Sequence, residues 1–333
     1  MELIRGQHNL RPRHRGCVAT IGNFDGVHLG HQAILAQLTG QAARLRLPRL
    51  VITFEPQPQE FFAGPTAPPA RLMRLREKLL ALDGLGIERV LCLEFDHRLA
   101  AMPAQTFIDE LLAQRLGIRY LVIGDDFRFG RHRAGDFAML VEAGKGHGFT
   151  VANNHSYILD GERVSSTRVR QALGQGDLEL AARLLGRPYD MCGRVAHGDR
   201  RGRTIGFPTA NIHLHRRVTP VYGVYAVLLS SPGLRLWPGI ANVGRRPTVQ
   251  GARERLEVHL LEYQGDLYGL HVKVDFLRYL RPEQRFDSLD ALQAQIQRDE
   301  YAARTWFTAR GIMQSPHPLS SPSTPLLSGE RGV

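Results

Sequence analysis

Cysteine is nearly absent from this 333-residue chain: Cys17, Cys92 and Cys192 stand far apart and form no CxxC pair. That excludes a disulfide framework and a cysteine-built zinc site, and makes the cytoplasm the expected compartment. Lysine is almost as scarce, with Lys78, Lys145 and Lys273 the only three among 43 basic residues. No GxxxxGK[ST] string occurs, so a nucleotide site of the P-loop type is excluded. The longest apolar runs fall far short of the roughly 20 residues that a membrane span needs. The opening MELIRGQHNLRPRHRG also lacks the apolar core of a signal peptide. No membrane partner is expected.

What is present describes an ordinary globular chain, 43% hydrophobic and 23% charged, long enough for about two domains. The net charge of +11 raises the question of nucleic acid. Residues 1–184 carry 23 Lys+Arg against 19 Asp+Glu, and residues 185–333 carry 20 against 13. The excess is spread along the chain, apart from short knots such as Arg200–Arg203. A spread excess fits small polyanions at least as well as a nucleic-acid face, and no helix-turn-helix or RNP string is present. No nucleic-acid partner is expected.

The first half alternates two textures. Cys17–Ile21, Leu50–Phe54, Val90–Phe95 and Tyr120–Gly124 are short apolar runs ending in Gly, Pro or Asp, which predicts strands. Between them, Ile34, Leu35, Leu38, Ala42 and Leu45 fall on one helical stripe, and Phe107–Leu116 has similar spacing. Alternation of this kind predicts a parallel α/β sheet, with ligands beyond the carboxyl ends of its strands. From about residue 186 the runs Gly193–His197, Tyr222–Leu229, Leu236–Val243, Arg255–Glu262 and His271–Tyr279 follow one another across Gly or Pro turns. They predict an antiparallel barrel or sandwich. A closing helix is expected after Asp287 or Ser288, with Leu289, Leu292, Ile296 and Trp306 as its apolar stripe. The Pro- and Ser-rich SPHPLSSPSTPLLSGERGV is expected to be unstructured.

At the first strand-to-helix junction stands GNFDGVHLGH, residues 22–31. Zinc would need three or four ligands, and no nearby Cys, His or Glu cluster completes a set around His28 and His31. Turn-making alone accounts for the glycines and leaves the histidines idle. A phosphate site accounts for both: Gly26 and Gly30 let the backbone approach an anion. The helix start offers free N–H groups, and the imidazoles donate hydrogen bonds to phosphate oxygens. RVSSTRVR, residues 163–170, reads either as a helix N-cap or as a phosphate clamp of hydroxyls and guanidinium groups, and the two are compatible.

GNFDGVHLGH resembles the HxGH-type signature of the nucleotidyltransferase superfamily, in particular its FMN adenylyltransferase branch. The resemblance implies a Rossmann-like α/β domain in which His28 and His31 grip ATP phosphates as pyrophosphate leaves. It implies ATP contacts from Gly22, Phe24, Asp25 and Gly30. RVSSTRVR resembles the same family's SSTxxR element, which brings Arg163, Ser166, Thr167 and Arg170 to ATP. GDDFRFG, residues 124–130, resembles its flavin-facing loop, implying Asp126 and Phe127 as contacts, with Phe54 beside them. FEPQPQEFF, residues 54–62, is similar to a loop usually written FxPHP, but Gln57 stands where the family has histidine.

In the second half, GRTIGFPTAN, residues 202–211, reads as a Gly/Pro turn entering a strand. Thr209 and Asn211 are also hard oxygen donors on one side of an extended segment, as Mg²⁺ requires, and Gly202 and Gly206 permit close approach to phosphate. The string resembles the PTAN motif of the flavokinases (riboflavin kinases). NVGRRPT and GDLYG, at 242–248 and 265–269, are similar to further segments of that family. Glu257 sits on the polar side of Arg255–Leu260, where a carboxylate is ordinarily just solvated. The flavokinase resemblance instead implies that it is the catalytic base.

Together the strings resemble the prokaryotic bifunctional riboflavin kinase/FAD synthetase family over about residues 15–310. The implied layout is an adenylyltransferase domain at 1–184, an antiparallel β-barrel kinase domain at 185–312 and a disordered tail at 313–333. Riboflavin, FMN and ATP are the implied partners, and Mg²⁺ accompanies ATP. A chain whose barrel merely binds flavin is the alternative, against which GRTIGFPTAN and Glu257 argue.

Overall fold

The computed structural model describes residues 1–63, 68–196, 206–216, 218–248 and 251–313. Gly202, the knot Arg200–Arg203 and the segment 314–333 lie outside the described residues.

The first half is a six-stranded parallel sheet in the order β1-β4-β3-β2-β5-β6. Its strands are β1 (Glu2–Arg5), β2 (Val18–Ile21), β3 (Arg49–Glu55), β4 (Arg89–Glu94), β5 (Tyr120–Gly124) and β6 (Thr150–Asn154). The chain runs outward through β2, β3 and β4 on one side, then returns to place β5 against the other side of β2. That reversal makes the carboxyl end of β2 the switch point, where such sheets leave a crevice. Helices α1 (Leu29–Leu45), α2 (Pro58–Phe62), α3 (Leu75–Gly84), α4 (His97–Ala101), α5 (Ala104–Thr106) and α6 (Phe137–His147) fill the connections. Phe107–Arg115 continues α5 with the wider turn of a π-helix. The predicted stripe on α1 is buried at Leu35, Leu38 and Ala42, but Leu45 is exposed: it ends the helix, next to the left-handed Arg46.

A short hairpin, β7 (Ile158–Leu159) and β8 (Glu162–Arg163), leads into α7 (Ser166–Gly174) and α8 (Leu178–Leu185). The second half is a closed antiparallel barrel, β10-β13-β12-β11-β14-β9. Its strands are β9 (Tyr189–Ala196), β10 (Ala210–His213), β11 (Gly223–Ser231), β12 (Leu234–Thr248), β13 (Gly251–Leu260) and β14 (His271–Arg281). α9 (Leu289–Thr308) is capped by Ser288, whose hydroxyl accepts the Ala291 N–H. It lays Ala303 and Phe307 on Val224, Ala226 and Ile240, on the outer face of the barrel. Leu289, expected in its apolar stripe, is exposed in the first turn.

One apolar core ignores the division between the halves. Val169, Leu173, Leu178, Ala181, Leu184 and Leu185 of α7 and α8 share a buried cluster with Met191, Val227, Val274 and Phe276 of the barrel, and Leu72 from the sheet half joins them. The expected domain boundary at 184/185 therefore falls at the last residue of a helix packed on β14.

Candidate active sites

The loop after β2 is built on backbone that L-residues rarely adopt. Phe24 (φ 47°), Gly26 (φ 85°) and Val27 (φ 43°) all have positive φ. Phe24 and Val27 are nevertheless buried, and sinking two apolar side chains offsets the strain of about 1–3 kcal/mol per residue. A Cβ on Gly26 would lie 2.8 Å from Leu72 Cδ1, and one on Gly30 would lie 3.2 Å from the His28 ring. Both glycines thus answer the protein's own packing, which sequence reasoning attributes to anion approach.

His28 is the N-cap of α1. Its Nδ1 accepts the His31 N–H at 3.3 Å, which leaves the ring proton on Nε2. The two rings stack with centroids 3.7 Å apart, and His31 is tilted against Phe24 at 5.0 Å. Burial pushes His28 down to about 4; Asp25 opposes this, while Arg163 and Arg170 add to it. Burial likewise holds His31 well below the ordinary histidine range, with His28, Lys78 and Arg163 adding to it. At neutral pH the pair is therefore uncharged, and it presents N–H donors rather than imidazolium ions.

Asp25 faces inward. Its carboxylate accepts the N–H groups of Leu72 (3.1 Å) and Met73 (3.0 Å) and the Arg170 guanidinium (2.5 Å). Its carbonyl accepts the Ser166 hydroxyl at 2.8 Å. Arg170 also donates to the Ala70 carbonyl at 2.6 Å. Asp25, Ser166 and Arg170 thus clamp α7 to the His loop. Ser165 caps α7, accepting the Arg168 N–H, and Thr167 is exposed on its first turn. Arg163 is half-exposed and pairs with Asp126 at 2.9 Å, which holds that carboxyl below its ordinary range.

Beside the loop opens a cavity of about 1340 Å³ whose wall includes Gly22, Phe54, Asp126 and Phe127. The strings after β2, β3 and β5 therefore converge on one space. Seven phenylalanines are part of its wall: Phe61 meets Phe95 edge to face at 5.4 Å and His97 at 4.9 Å, while Phe127 stacks on Phe129 at 5.5 Å. Phe61, Phe62, Phe95, His97 and Phe129 escaped the sequence reading, although the Phe61–Phe62 pair ends FEPQPQEFF and Phe129 lies within GDDFRFG. Gln57 does not line this cavity; it is buried as the cap of α2.

In the barrel, Leu256 and Val258 point inward and are buried, which turns Glu257 outward. It lies opposite Asn211 of β10 on one side and Asn242 of β12 on the other. Arg255 comes within 2.5 Å of Glu257 Oε1 and donates to Asn211 Oδ1 at 2.5 and 3.0 Å. Asn242 Oδ1 is buried with no hydrogen-bond partner among the described residues. Thr209 lines a separate small cavity of about 80 Å³ with Tyr263, Asp266 and Tyr268, so the PTAN and GDLYG strings adjoin while Glu257 stands outside that cavity. Gly206 (φ 83°) is exposed at the turn, which His259 ties to β13 by a 2.8 Å contact with the Pro208 carbonyl.

Two family models match this chain: FAD synthetase over residues 10–168 and riboflavin kinase over residues 185–307. The bifunctional riboflavin kinase/FMN adenylyltransferase of Escherichia coli K12 is 54% identical over 308 residues, which cover 92% of this chain and 98% of that one. The chain belongs to that family. The Haemophilus influenzae member is 48% identical over 309 residues, covering 93% of this chain and all of its own length. A crystal structure titled a macrolide-efflux protein from Streptococcus pneumoniae superposes with a TM-score of 0.77 at 31% identity, covering 92% of this chain and all of that one. Among the described residues of the present chain no helix is long and apolar enough to cross a membrane. The FAD synthetase match takes in the His loop and the aromatic cavity, and the riboflavin kinase match takes in Glu257. Between them lie residues 169–184, which contribute Val169, Leu173, Leu178, Ala181 and Leu184 to the shared core.

Proposed function

We propose that this chain makes FAD from riboflavin in two steps at these two sites. In the barrel, the 5′-hydroxyl of riboflavin attacks the γ-phosphate of ATP, giving FMN and ADP. In the sheet half, the phosphate of FMN attacks the α-phosphate of a second ATP, giving FAD and pyrophosphate. The observation that carries the second assignment is the capped, uncharged His28–His31 pair at the sheet's switch point, beside a phenylalanine-lined cavity with ample room for a flavin.

The two nucleophiles need different help. An alcohol must lose its proton as it attacks, so the kinase half needs a base, and Glu257 is that group. Arg255 holds Glu257 and Asn211 together. The phosphate of FMN is already largely ionised at neutral pH and needs no base. The adenylyl half therefore supplies donors. His28 gives its Nε2–H to the developing phosphate charge, His31 supports it by stacking, and Arg163, Thr167 and the start of α7 face the phosphates. Phe54, Asp126 and Phe127 receive the flavin, with Phe61 and Phe95 beside them. Asp25, Ser166 and Arg170 act as the frame of the loop.

Mg²⁺ fits the oxygen donors of the kinase half. Asn211, Thr209 and the unpartnered Asn242 Oδ1 would hold it, and it would neutralise charge on the transferring phosphate. The reaction is placed in the cytoplasm on cysteine content. Incubation of the purified chain with riboflavin and Mg-ATP, followed by chromatographic separation of the flavins, tests the whole. FMN must appear first and FAD after it. Without Mg²⁺, FMN formation must stop. Failure to make FAD from supplied FMN refutes the assignment of the sheet half.

A further inference from the structure

The His loop is held from behind by groups that no reactant can touch. Residues Ala70–Met73 form its backing: Asp25 takes the N–H groups of Leu72 and Met73, and the missing Cβ of Gly26 leaves room for Leu72. The opposite edge of this segment belongs to the barrel half. Arg216, which follows β10, donates from Nη1 to the carbonyls of Arg71 (2.5 Å) and Leu72 (3.2 Å), and the Tyr189 hydroxyl donates to Leu72 at 3.2 Å. Nη2 of Arg216 pairs with Glu77 at 2.6 Å, both side chains being only 1% exposed. Glu77 in turn accepts the N–H groups of Arg74 (2.6 Å), which starts α3, and of Cys192 (3.0 Å) in β9. Arg187, also past α8, donates to the Gly26 carbonyl at 2.9 Å.

A buried ion pair of this kind adds little net stability, because desolvation offsets most of the Coulomb attraction. What it does supply is geometry. One planar guanidinium can meet two carbonyls and a carboxylate only in one arrangement. We propose that Arg216, contributed by the barrel half and locked by Glu77, is a positioning residue for FMN adenylylation. It fixes the carbonyls of Arg71 and Leu72, the amides of Leu72 and Met73 then fix Asp25, and Asp25 sets the His28–His31 loop. This rests on the assignment of that loop to adenylyl transfer. The barrel is then part of the adenylyl site's frame, and the second reaction depends on a residue from the half that performs the first.

The test uses the full-length chain with three changes: Arg216→Lys, Arg216→Met combined with Glu77→Gln, and His28→Asn. The Arg216→Met/Glu77→Gln variant removes both charges together, so no lone buried charge unfolds the protein. Because misplacement of catalytic groups by about 1 Å costs up to roughly 10²-fold, kcat for FAD formation from FMN is expected to fall by about 10- to 100-fold. KM for FMN and ATP should change by less than about threefold. Riboflavin phosphorylation, which serves as the measure of folded protein, should stay within about twofold. Arg216→Lys should recover part of kcat, since an ammonium still reaches Glu77 and one carbonyl. The proposal is overturned if both reactions fall together, if kcat for FAD formation is unchanged, or if lysine restores nothing. His28→Asn separates the two levels. If it leaves FAD formation at the wild-type rate, the loop assignment fails and the proposal falls with it. If it stalls at FMN while the Arg216 variants do not, the positioning role alone fails.

Discussion

His28 performs two tasks with two nitrogens, and one substitution can divide them. Nδ1 caps α1, and Nε2–H is the proposed donor to phosphate. Asparagine is among the best N-caps, so His28→Asn keeps the first task and removes the second. FAD formation should fall roughly 10²–10³-fold, the usual cost of losing one preorganised donor, while riboflavin phosphorylation is unchanged. Stability supplies an independent check. Burial lowers His28 from about 6.5 to about 4 in the folded chain. Above pH 6.5 the residue is neutral folded and unfolded, and its burial costs nothing extra. As pH falls below 6.5 the unfolded chain gains a proton that the folded chain refuses, so stability is lost down to about pH 4. Each pKa unit is worth about 1.4 kcal/mol, which makes the loss about 2 kcal/mol by pH 5 and about 3 kcal/mol in full. Asparagine cannot titrate. Asparagine loses the stack on His31 at every pH, so the variant should be the less stable in urea unfolding at pH 7.5, and the difference should move in its favour by about 2 kcal/mol at pH 5. An unchanged difference between the two pH values would refute the buried, neutral His28, and undiminished FAD synthesis would refute its donor role.

Further outcomes follow from the other contacts. Glu257→Gln should lower riboflavin phosphorylation by roughly 10²–10⁴-fold and leave FAD formation from FMN intact; an unchanged kinase rate returns Glu257 to an ordinary solvated strand residue. Gly26→Ala sets a Cβ 2.8 Å from Leu72 at φ 85° and should cost about 1–3 kcal/mol, read as a lower melting temperature together with slower adenylylation. Deletion of residues 314–333 should leave both rates unchanged, because the riboflavin kinase match ends at residue 307; a fall in either rate contradicts this. A barrel fragment beginning at Leu178 should melt well above one beginning at Leu185, since the shorter piece discards Leu178, Ala181 and Leu184 from the common core.

Strand periodicity was legible wherever strands are buried on both faces. β2 to β5 read directly from runs such as Leu50–Phe54, because a covered parallel strand is apolar throughout. β1 and β6 were not legible: they form the two edges of the sheet, and ELIR and TVANN carry too many polar residues to make a run. The barrel's β10 was hidden inside GRTIGFPTAN, where a motif reading and a strand reading compete for the same residues. α9 shows the opposite failure. Its stripe was drawn through Leu289, but the helix begins before it reaches the barrel, so of its apolar residues only Ala303 and Phe307 are buried.

The strings of the candidate site were legible in the sequence, but the direction in which their residues face was not. GNFDGVHLGH reads as a phosphate loop, yet besides the buried Phe24 and Val27 three residues read as facing the anion face the protein instead. Gly26 yields to Leu72, Gly30 to His28, and Asp25 spends both carboxylate oxygens on Leu72, Met73 and Arg170. A loop that must present two neutral imidazoles has to be rigid before substrate arrives, and rigidity at positive φ is bought with inward contacts. Those partners come from Ala70–Met73, from α7 and from beyond α8, and no local pattern marks them. Glu77 and Arg216 stand 139 positions apart, and each alone reads as a solvated surface charge. Only folding shows that they meet, buried, behind the histidines. What a sequence can announce is therefore the set of groups that meet a ligand, because their spacing is local. The groups that aim them are set by tertiary packing, and here they come from both halves, with Arg187 and Arg216 supplied by the barrel that carries the other reaction.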